Sequence, residues 1–505
     1  MIMSLYMRNY WSLYLDFLND FKDIKYKGIS LAYLCHFRSL VRSIDPLIQH
    51  KNLTKQLKHQ VKDKKQVQAV FNQFIQANTR KKLVKNPKGI VVFHDVYHLL
   101  RLNGLNPKAY CNPAKSMIIS ETTKVRIAKN RNKQTNQSPK VSVGQSITIN
   151  VRKQQPKNQV VKNNVSKSKN GLRVDYFQNY SVDTKMVVSK VRQQARAIIY
   201  KYRKHPLYSN AAFQKALLKQ LAGIINRIEE AEGFLSKVNV SCIVLASTHY
   251  YQSRTFAVVA AKRGIPSICL QHGIIGSETG YIPKIATVDA VYGQFEIDWY
   301  KKAGGNKNGL EIIGHPRFDR AFKKSTVTRA QFHKKLGLNP SKKTILIALR
   351  GSTQMNRWKK LIQAISKKLD VNIVVKDFPT KNSHELSRTY KFVRTTQNYS
   401  LYDIFPNVDL VIAYPSTVGL EAMLANKPVF ILNYPFNGYT GYYNNLGELV
   451  QTDPQKLGQL IIKYLTNAAF KKYADNKRKE FIAYAYPNKE RSGVRLKKLI
   501  NKWTM

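Results

Sequence analysis

The chain has 505 residues, of which 43% are hydrophobic and 11% aromatic, a composition ordinary for a globular protein of about two to four domains. Lysine and arginine number 85 against 29 aspartates and glutamates, and the formal net charge of +56 favours anionic partners such as nucleic acid, acidic phospholipid, nucleotides or phosphorylated substrates. No apolar run approaches the ~20 residues that span a bilayer, which excludes a transmembrane helix within this sequence.

The first 80 residues are predicted to be helical. Their start, MIMSLYMRNYWSLYLDFLNDF, is rich in apolar and aromatic residues. A domain helix with one core face is the favoured interpretation, and the alternative is a helix at a membrane interface with Tyr10, Trp11 and Tyr14 at headgroup depth. Residues 89–95 (GIVVFHD) are the first predicted buried strand, and His94 at its end is interpreted as structural rather than as lining a cleft.

Residues 121–172 differ in composition from the rest of the chain. They carry twelve Lys and Arg against one acidic residue, Glu121, among Asn, Gln and Ser. Such a segment cannot bury enough apolar surface to offset its ordering entropy, so a mobile basic insertion is predicted. Within it, residues 141–151 alternate at period 2 and predict a hairpin.

A strand–helix–strand pattern follows a helical stretch. Residues 240–246 (VSCIVLA) form a predicted buried strand that ends near His249, and the helix after it closes at Gly264. A second strand, 267–270, ends at Gln271, His272 and Gly273. Such a unit implies a parallel sheet, in which ligands bind outside the carboxyl ends of the strands. A further strand, 310–314, brings His315, Arg317 and Asp319 to the same edge, so these six polar or small residues are expected to line a cleft.

A second unit has predicted strands at 344–349, 371–375, 409–413 and 428–432, separated by helices. The sequence therefore predicts an α/β fold of two tandem, Rossmann-like, doubly wound domains that face a cleft. The predicted divisions are an N-terminal acceptor-side domain (1–320), a nucleotide-donor-binding domain (321–484) and a basic C-terminal helix that crosses back (485–505).

The best candidate for a nucleotide site follows strand 409–413 and opens a helix, with Tyr414, Pro415, Ser416 and Thr417 at its start. Unpaired N–H groups and the positive end of the helix dipole suit a diphosphate. Glu421, one turn further on, is placed to accept hydrogen bonds from ribose hydroxyls. Ser416 or Thr417 as a simple N-cap is the structural alternative, and it leaves Glu421 unexplained.

Two other strand ends are predicted to face this helix. Arg350, Gly351 and Ser352 follow strand 344–349, and Lys376 follows strand 371–375, so the two cations are placed to neutralise phosphate on a departing nucleotide. The sequence contains no P-loop, no paired zinc ligands and no Ser-His-Asp order, so neither a metal nor a cofactor is predicted.

His272 suits a general base, because an imidazole with an ordinary pKa of ~6.5 is largely neutral at neutral pH and can take a hydroxyl proton. Glu278 is predicted either to orient it or to act in its place. The four cysteines (Cys35, Cys111, Cys242 and Cys269) lack metal-ligand spacing and are predicted to be free buried thiols in a reducing, cytosolic setting.

Four stretches carry a family likeness: GIPSICLQHG (264–273), VYG (291–293), GHPRFD (314–319) and YPSTVGLEAMLANKPV (414–429). Over about 235–435 the chain resembles surface-polysaccharide glycosyltransferases of the GT-B fold, including Kdo-transferase-like capsule proteins. It resembles more distantly the CDP-glycerol glycerophosphotransferases of teichoic acid synthesis. The resemblance implies that His272 is the base and that Ser416, Thr417 and Glu421 bind the donor nucleotide. Relatives often have Lys-Pro-His-Pro where this chain has KDFP at 376–379.

The predicted function is therefore an inverting, metal-independent glycosyltransferase, with a nucleotide-sugar as co-substrate and a surface polysaccharide, lipid-linked in the favoured interpretation, as acceptor. The nearest alternative is a CDP-glycerol or polyol phosphotransferase of teichoic-acid type. Less favoured are a sugar-nucleotide 2-epimerase and a nucleic-acid-binding protein, since no recognition motif accompanies the charge. The expected location is cytoplasmic, peripheral on the anionic inner face of the plasma membrane, with no nucleic acid partner; the sequence predicts no oligomeric state.

Overall fold

The structure is a computed structural model, and it describes residues 3–121, 166–167, 171–305, 307–349, 354–376, 384–396, 399–434, 436–487 and 490–505. Most of the basic insertion, with the predicted hairpin at 141–151, lies outside the described residues. No helix among the described ones combines the length and apolar character needed to cross a membrane.

The described chain contains sixteen strands, most of them short and buried. In chain order they are β1 (Lys25–Tyr26), β2 (Ile29–Ser30), β3 (Ile90–Asp95), β4 (Ser116–Ser120), β5 (Ser166–Lys167), β6 (Arg173–Tyr176), β7 (Val240–Leu245), β8 (Ser267–Leu270), β9 (Val288–Val291), β10 (Leu310–Ile312), β11 (Thr344–Ala348), β12 (Asn372–Lys376), β13 (Val393–Thr395), β14 (Leu410–Ala413), β15 (Val429–Leu432) and β16 (Val450–Gln451).

The described α-helices surround two sheets. They are Leu5–Phe21, Phe37–Leu40, Asp45–Ile48, Lys51–Thr54, Lys65–Ala77, Lys185–Lys201, Ala211–Lys237, Tyr251–Lys262, Gln294–Lys302, Arg329–Leu336, Met355–Ser366, Glu385–Thr389, Leu401–Ile404, Thr417–Leu424, Pro454–Thr466, Ala468–Ala485 and Ser492–Thr504. The helix Tyr251–Lys262 is followed by Gly264 at φ +79°, the left-handed conformation that the sequence analysis predicts for that glycine.

The first sheet has the order β10-β9-β8-β7-β3-β4-β6-β5. Its pairings are parallel except for the edge strand β5, which runs antiparallel to β6. The second sheet has the order β13-β12-β11-β14-β15-β16 and is parallel throughout. We call the parts of the chain that carry these sheets the N-terminal and C-terminal domains. The predicted fold class, two Rossmann-like α/β domains in the GT-B manner, is confirmed.

Buried apolar side chains cover the faces of each sheet. In the C-terminal domain the strands β11 and β14 are buried along their whole length, which explains their nearly continuous apolar sequences. The C-terminal helix Ser492–Thr504 packs on the N-terminal sheet, where Leu496, Leu499 and Ile500 join the cluster that contains Cys242. The chain thus returns to the first domain after completing the second.

The N-terminal helix Leu5–Phe21 belongs to the core. Tyr10, Trp11 and Tyr14 are each at most 2% exposed, and they pack among aromatic residues of the following helices. The alternative of a helix that rests these side chains among lipid headgroups is therefore wrong, because they are covered by protein. All four cysteines are free and buried, as predicted.

Sequence analysis missed several strands: β4, β6, β13 and β16. Each is short or carries charged residues, so its local pattern is weak. Their identity as strands depends on parallel neighbours that lie far away in sequence.

Candidate active site between the two domains

The C-terminal sheet places two loops at its topological switch point. The strands β11 and β14 are adjacent, yet the chain runs outward from them in opposite directions, to β13 on one side and β16 on the other. In open α/β sheets the ligand crevice lies outside the carboxyl ends of such a strand pair. The residues after β14, which begin with Tyr414, therefore lie where a nucleotide is expected.

A cavity of about 770 Å³ opens at this point between the two domains. It is lined by Arg101, Ile274, Gly276, Ser277, Thr279, Gly280, Tyr281, Arg317, Ala348, Leu349, Lys376, Leu401, Tyr414, Pro415, Ser416, Thr417, Val418, Glu421 and Phe436. A volume of several hundred cubic ångströms is typical of small-molecule and cofactor sites. The predicted residues Lys376, Tyr414–Thr417, Arg317 and Glu421 are thus brought together; Arg350, Gly351 and Ser352 lie outside the described residues.

The helix Thr417–Leu424 begins at the cavity wall. Ser416 occupies the N-cap position with an extended backbone, but its side chain makes no capping bond, and its buried Oγ has no hydrogen-bond partner. The first N–H groups of this helix therefore keep their capacity to bind an anion. The capping interpretation of Ser416 does not account for its hydroxyl.

Glu421 joins the two domains inside this wall. It is 5% exposed and accepts hydrogen bonds from Arg317 Nη2 at 2.9 Å and from the Tyr402 hydroxyl at 2.5 Å. Burial, and then the charge of Glu421, raise the pKa of Tyr402, so the phenol stays protonated and donates. The carboxylate keeps further lone pairs that face the cavity side of the helix.

Lys376 ends β12 at the opposite wall. Its Nζ donates to the backbone carbonyl of Tyr399 at 2.7 Å, and burial lowers its pKa. An ammonium group has three donors, so two remain for a ligand. The residues 377–379, where the chain departs from the family pattern, are outside the described residues.

His272 follows β8 and faces the cavity from the N-terminal domain. Its ring stacks on Tyr281 with centroids 5.2 Å apart and planes at 10°. A ring nitrogen is hydrogen-bonded to the backbone carbonyl of Ala246, and this bond requires a proton on that nitrogen. The other ring nitrogen of the neutral imidazole is therefore the acceptor.

The imidazole of His272 is held neutral. Burial, and then the positive charges of Arg101 and Arg317, lower its pKa to about 4, although the bond to Ala246 acts in the opposite direction. At neutral pH the ring is thus a proton acceptor whose unprotonated form is fully populated.

The residues next to His272 touch the start of the helix. Ile274 N donates to Thr417 Oγ1 at 3.2 Å, and a Cβ added to Gly273 would lie 3.1 Å from the same oxygen. Glycine at 273 therefore permits the close approach of the two domains. The imidazole of one domain and the anion-binding helix end of the other lie on the two sides of this contact.

A backbone clamp closes one flank of the cavity. Ser277 and Tyr439 form an antiparallel bridge, Glu278 N donates to Gly438 O at 3.0 Å, and Thr440 N donates to Gly276 O at 3.3 Å. The segment 276–278 is thereby attached to the C-terminal domain.

Glu278 has partners other than His272. Its carboxylate binds Lys64 Nζ at 2.6 Å and accepts a hydrogen bond from Trp11 Nε1 at 3.4 Å. The structure thus directs this side chain toward the N-terminal helices, and it does not line the cavity. Its role as a base or an orienting group remains a prediction.

The remaining cleft residues lie in the second layer behind the cavity. Gln271 donates to Gly273 O at 2.8 Å and to Glu296 at 2.9 Å, and His249 lies 2.8 Å from His36 between their Nε2 atoms. Gln271, His249 and His272 border a small enclosed space of about 20 Å³. His315 Nδ1 accepts from the Arg317 N–H at 3.1 Å, which shapes the turn that carries Arg317.

Asp319 does not line the cavity. Its carboxylate accepts from the backbone N–H groups of Ser492 and Gly493 at 2.8 and 2.9 Å. It thereby caps the C-terminal helix and anchors it to the N-terminal domain.

Arg101 is a cavity residue that sequence reasoning missed. It lies in the loop after β3 with φ +50°, and it contributes to the low pKa of His272. The end of the predicted strand at 89–95 was a usable indication, but only the adjacency of β3 and β7 shows that this loop reaches the cleft.

Among the described residues, no group of three or more His, Cys, Asp and Glu is arranged to hold a metal ion. The chemistry available on the page is thus a neutral imidazole, an uncapped helix end and three cations, Arg101, Arg317 and Lys376, around one cavity. This arrangement can bind a diphosphate and remove a proton from a hydroxyl.

Comparison with known proteins gives one family. The model of the CDP-glycerol:poly(glycerophosphate) glycerophosphotransferase family matches residues 295–492, which include Arg317, Lys376, Thr417 and Glu421. The match indicates a transferase enzyme. No curated protein sequence matches the chain significantly.

Solved structures share the fold at low identity. The wall teichoic acid polymerase TagF is 14% identical, with 92% of this chain and 97% of that chain covered and a TM-score of 0.42. HepE from Anabaena, in complex with UDP and glucose, is 12% identical over 82% and 98%, with a TM-score of 0.42. UDP-GlcNAc 2-epimerase from Neisseria meningitidis, bound to UDP-GlcNAc, is 9% identical over 82% and 98%, with a TM-score of 0.47.

Proposed function

We propose that this protein transfers a polyol phosphate, such as glycerol phosphate, from a CDP-linked donor to a hydroxyl group of a surface polymer. The observation that carries the proposal is that the family match at 295–492 spans the residues that form the donor side of the cavity. The nearest alternative named by the sequence analysis is thereby favoured over sugar transfer.

The donor binds with its diphosphate at the start of the helix Thr417–Leu424. The free N–H groups and the positive end of the dipole face the phosphates, and the Ser416 hydroxyl, which has no partner in the protein, donates to them. Lys376 approaches from the opposite wall, and Arg317 adds a second cation. Glu421 accepts hydrogen bonds from the ribose.

His272 performs the proton transfer. Its unprotonated ring nitrogen takes the proton of the acceptor hydroxyl as that oxygen attacks the phosphorus atom of the polyol phosphate. The phosphorus–oxygen bond to CMP breaks in line, and the helix end and Lys376 stabilise the charge that gathers on the departing phosphate. No step in this mechanism requires a metal ion or a cofactor.

Sugar transfer from a nucleotide-sugar is the second candidate. The motifs over 235–435 favour it, and the geometry serves it equally, with attack at the anomeric carbon and inversion there. The acceptor in either case is a surface glycan or glycan-phosphate polymer, lipid-linked in our proposal. The net charge of +56 then holds the enzyme at an anionic inner membrane surface, where each well-placed Lys or Arg contributes about 1 kcal/mol.

A donor panel tests the proposal. Thermal-shift measurements with CDP-glycerol, CDP-ribitol and with UDP-, GDP-, dTDP- and CMP-linked sugars should show the largest rise in melting temperature with a CDP-linked polyol, since a ligand that binds only the folded state stabilises it. Release of CMP should then fall about 10²–10⁴-fold in His272→Ala and should be unchanged in His50→Ala, which alters an exposed histidine. Stabilisation by a nucleotide-sugar alone would replace this proposal with the second candidate, and stabilisation by no nucleotide would reject both.

A further inference from the structure

The N-terminal sheet has its own topological switch point, which the proposed donor site does not use. The strands β3 and β7 are adjacent, with β4 and β6 extending to one side and β8, β9 and β10 to the other. Tyr97 lies just after β3, and Tyr250 lies shortly after β7. Both side chains are therefore at the position where open α/β sheets bind a ligand.

The loop after β3 has an unusual backbone. Tyr97, His98 and Arg101 have φ values of +54°, +56° and +50°, and they are three of the six residues other than glycine with positive φ in the described chain. Residues with a Cβ rarely adopt this conformation, and where they do so in a group the surrounding structure holds them, most often at functional sites. The same loop brings Arg101 to the cavity beside His272.

The ring of Tyr97 is exposed but held in one orientation. The side chain is 63% exposed, its hydroxyl accepts a hydrogen bond from Gln252 Nε2 at 3.1 Å, and its ring centroid is 5.1 Å from that of Tyr250. A large aromatic side chain that is fixed by its edge and hydroxyl presents an apolar face to solvent. Such a preorganised face binds a flat apolar surface at little cost in conformational entropy.

The two tyrosines lie one layer out from the proposed base. The Tyr250 ring is 5.6 Å from that of His249, and His249 borders the same small enclosed space as His272. A molecule that rests on Tyr97 and Tyr250 therefore extends toward His272 from the N-terminal side, opposite the donor. This is the direction from which an acceptor hydroxyl must come.

We propose that Tyr97 and Tyr250 form an acceptor subsite that binds a saccharide ring. The C–H face of a pyranose is apolar and flat enough to pack on a tyrosine ring, whereas a linear polyol phosphate presents no such face. The inference rests on the proposed transferase function for the identity of the molecule as acceptor, and it adds that the acceptor carries a sugar near its reacting hydroxyl.

Saturation-transfer NMR on the full chain without donor tests the subsite directly. The probes are the methyl glycosides of glucose, galactose, mannose and N-acetylglucosamine, with glycerol phosphate as the linear comparison. We expect ring-proton signals from at least one glycoside, an affinity at least fivefold weaker in Tyr97→Ala, and an affinity within twofold of the original in Tyr97→Phe, which keeps the ring. Tyr200→Ala is the matched control, since Tyr200 is 69% exposed on the helix Lys185–Lys201.

Equal glycoside binding by Tyr97→Ala and Tyr200→Ala, or no glycoside signal with the unaltered protein, would overturn the subsite. The rate of CDP-glycerol hydrolysis by water, measured on the same variants, should be the same in Tyr97→Ala and the unaltered protein. If no nucleotide donor binds or reacts while the glycoside result is as expected, the proposed function fails and the subsite stands. If the donor reacts but glycoside binding does not depend on Tyr97, the reverse holds.

Discussion

Arg317 of the N-terminal domain and Glu421 of the C-terminal domain form a buried ion pair across the cleft, with Nη2 and Oε1 2.9 Å apart. The pair lies in the wall of the cavity, so the same contact that holds the domains in register also shapes the proposed donor site. The desolvation cost of either charge is offset only while the other is present.

Removing one member of this pair should destabilise the protein. We expect Glu421→Ala to lower the free energy of unfolding by about 3–5 kcal/mol, because the Arg317 charge then remains buried and unpaired. Urea unfolding measures the effect. The double variant Arg317→Met with Glu421→Leu should recover most of that loss while remaining inactive. A Glu421→Ala protein as stable as the original would show that water compensates Arg317.

The low pKa of His272 predicts an unusual pH dependence. The neutral ring is the active form, so kcat/KM should stay level as the pH is lowered through 6.5 and should fall only as it passes through about 4. In Arg101→Gln one cause of the lowering is removed, and the acid limb should move upward toward 6.5. Arg101→Lys keeps the positive charge and should keep the original profile. Profiles that coincide in all three proteins would exclude Arg101 as a neighbour that sets the pKa of His272.

Lys376 is expected to bind the donor phosphates. Lys376→Gln should weaken binding of a CDP-linked donor about tenfold, the loss of one charge-assisted hydrogen bond of about 1.4 kcal/mol. Calorimetric titration measures it, and cytidine, which has no phosphate, should bind both proteins equally poorly. Lys367→Gln is the control at an exposed lysine of the same domain. An equal loss in both variants would mean that general charge, and not position, is responsible.

Glu278 and Lys64 should behave as a structural pair. We expect Glu278→Gln and Lys64→Met each to lower the free energy of unfolding by about 1.5–3 kcal/mol, because a charged hydrogen bond is lost in a partly buried place. Neither should change the pH profile. If Glu278→Gln alone abolished turnover and altered the profile while Lys64→Met did not, the carboxylate would be part of the catalytic machinery.

The sequence by itself determined the class of the fold and the donor side of the site. Short apolar runs that stop at polar residues are a local property, since a strand buried on both faces needs only its own side chains to show it. The start of the helix Thr417–Leu424 is local for the same reason, because the strand, turn and helix lie within sixteen residues of one another. His272 was found because a histidine and a glycine follow such a strand.

Only the tertiary structure decided which strands are neighbours. The adjacency of β3 with β7, and of β11 with β14, joins segments separated by about 150 and 65 residues, and these contacts place the two switch points. Arg101 and Tyr97 come to the cleft through the first adjacency. The pairing of Glu278 with Lys64 spans 214 residues, and the burial of Trp11 depends on the helices packed around it. Long-range packing, which no local pattern encodes, therefore decided the acceptor side of this protein.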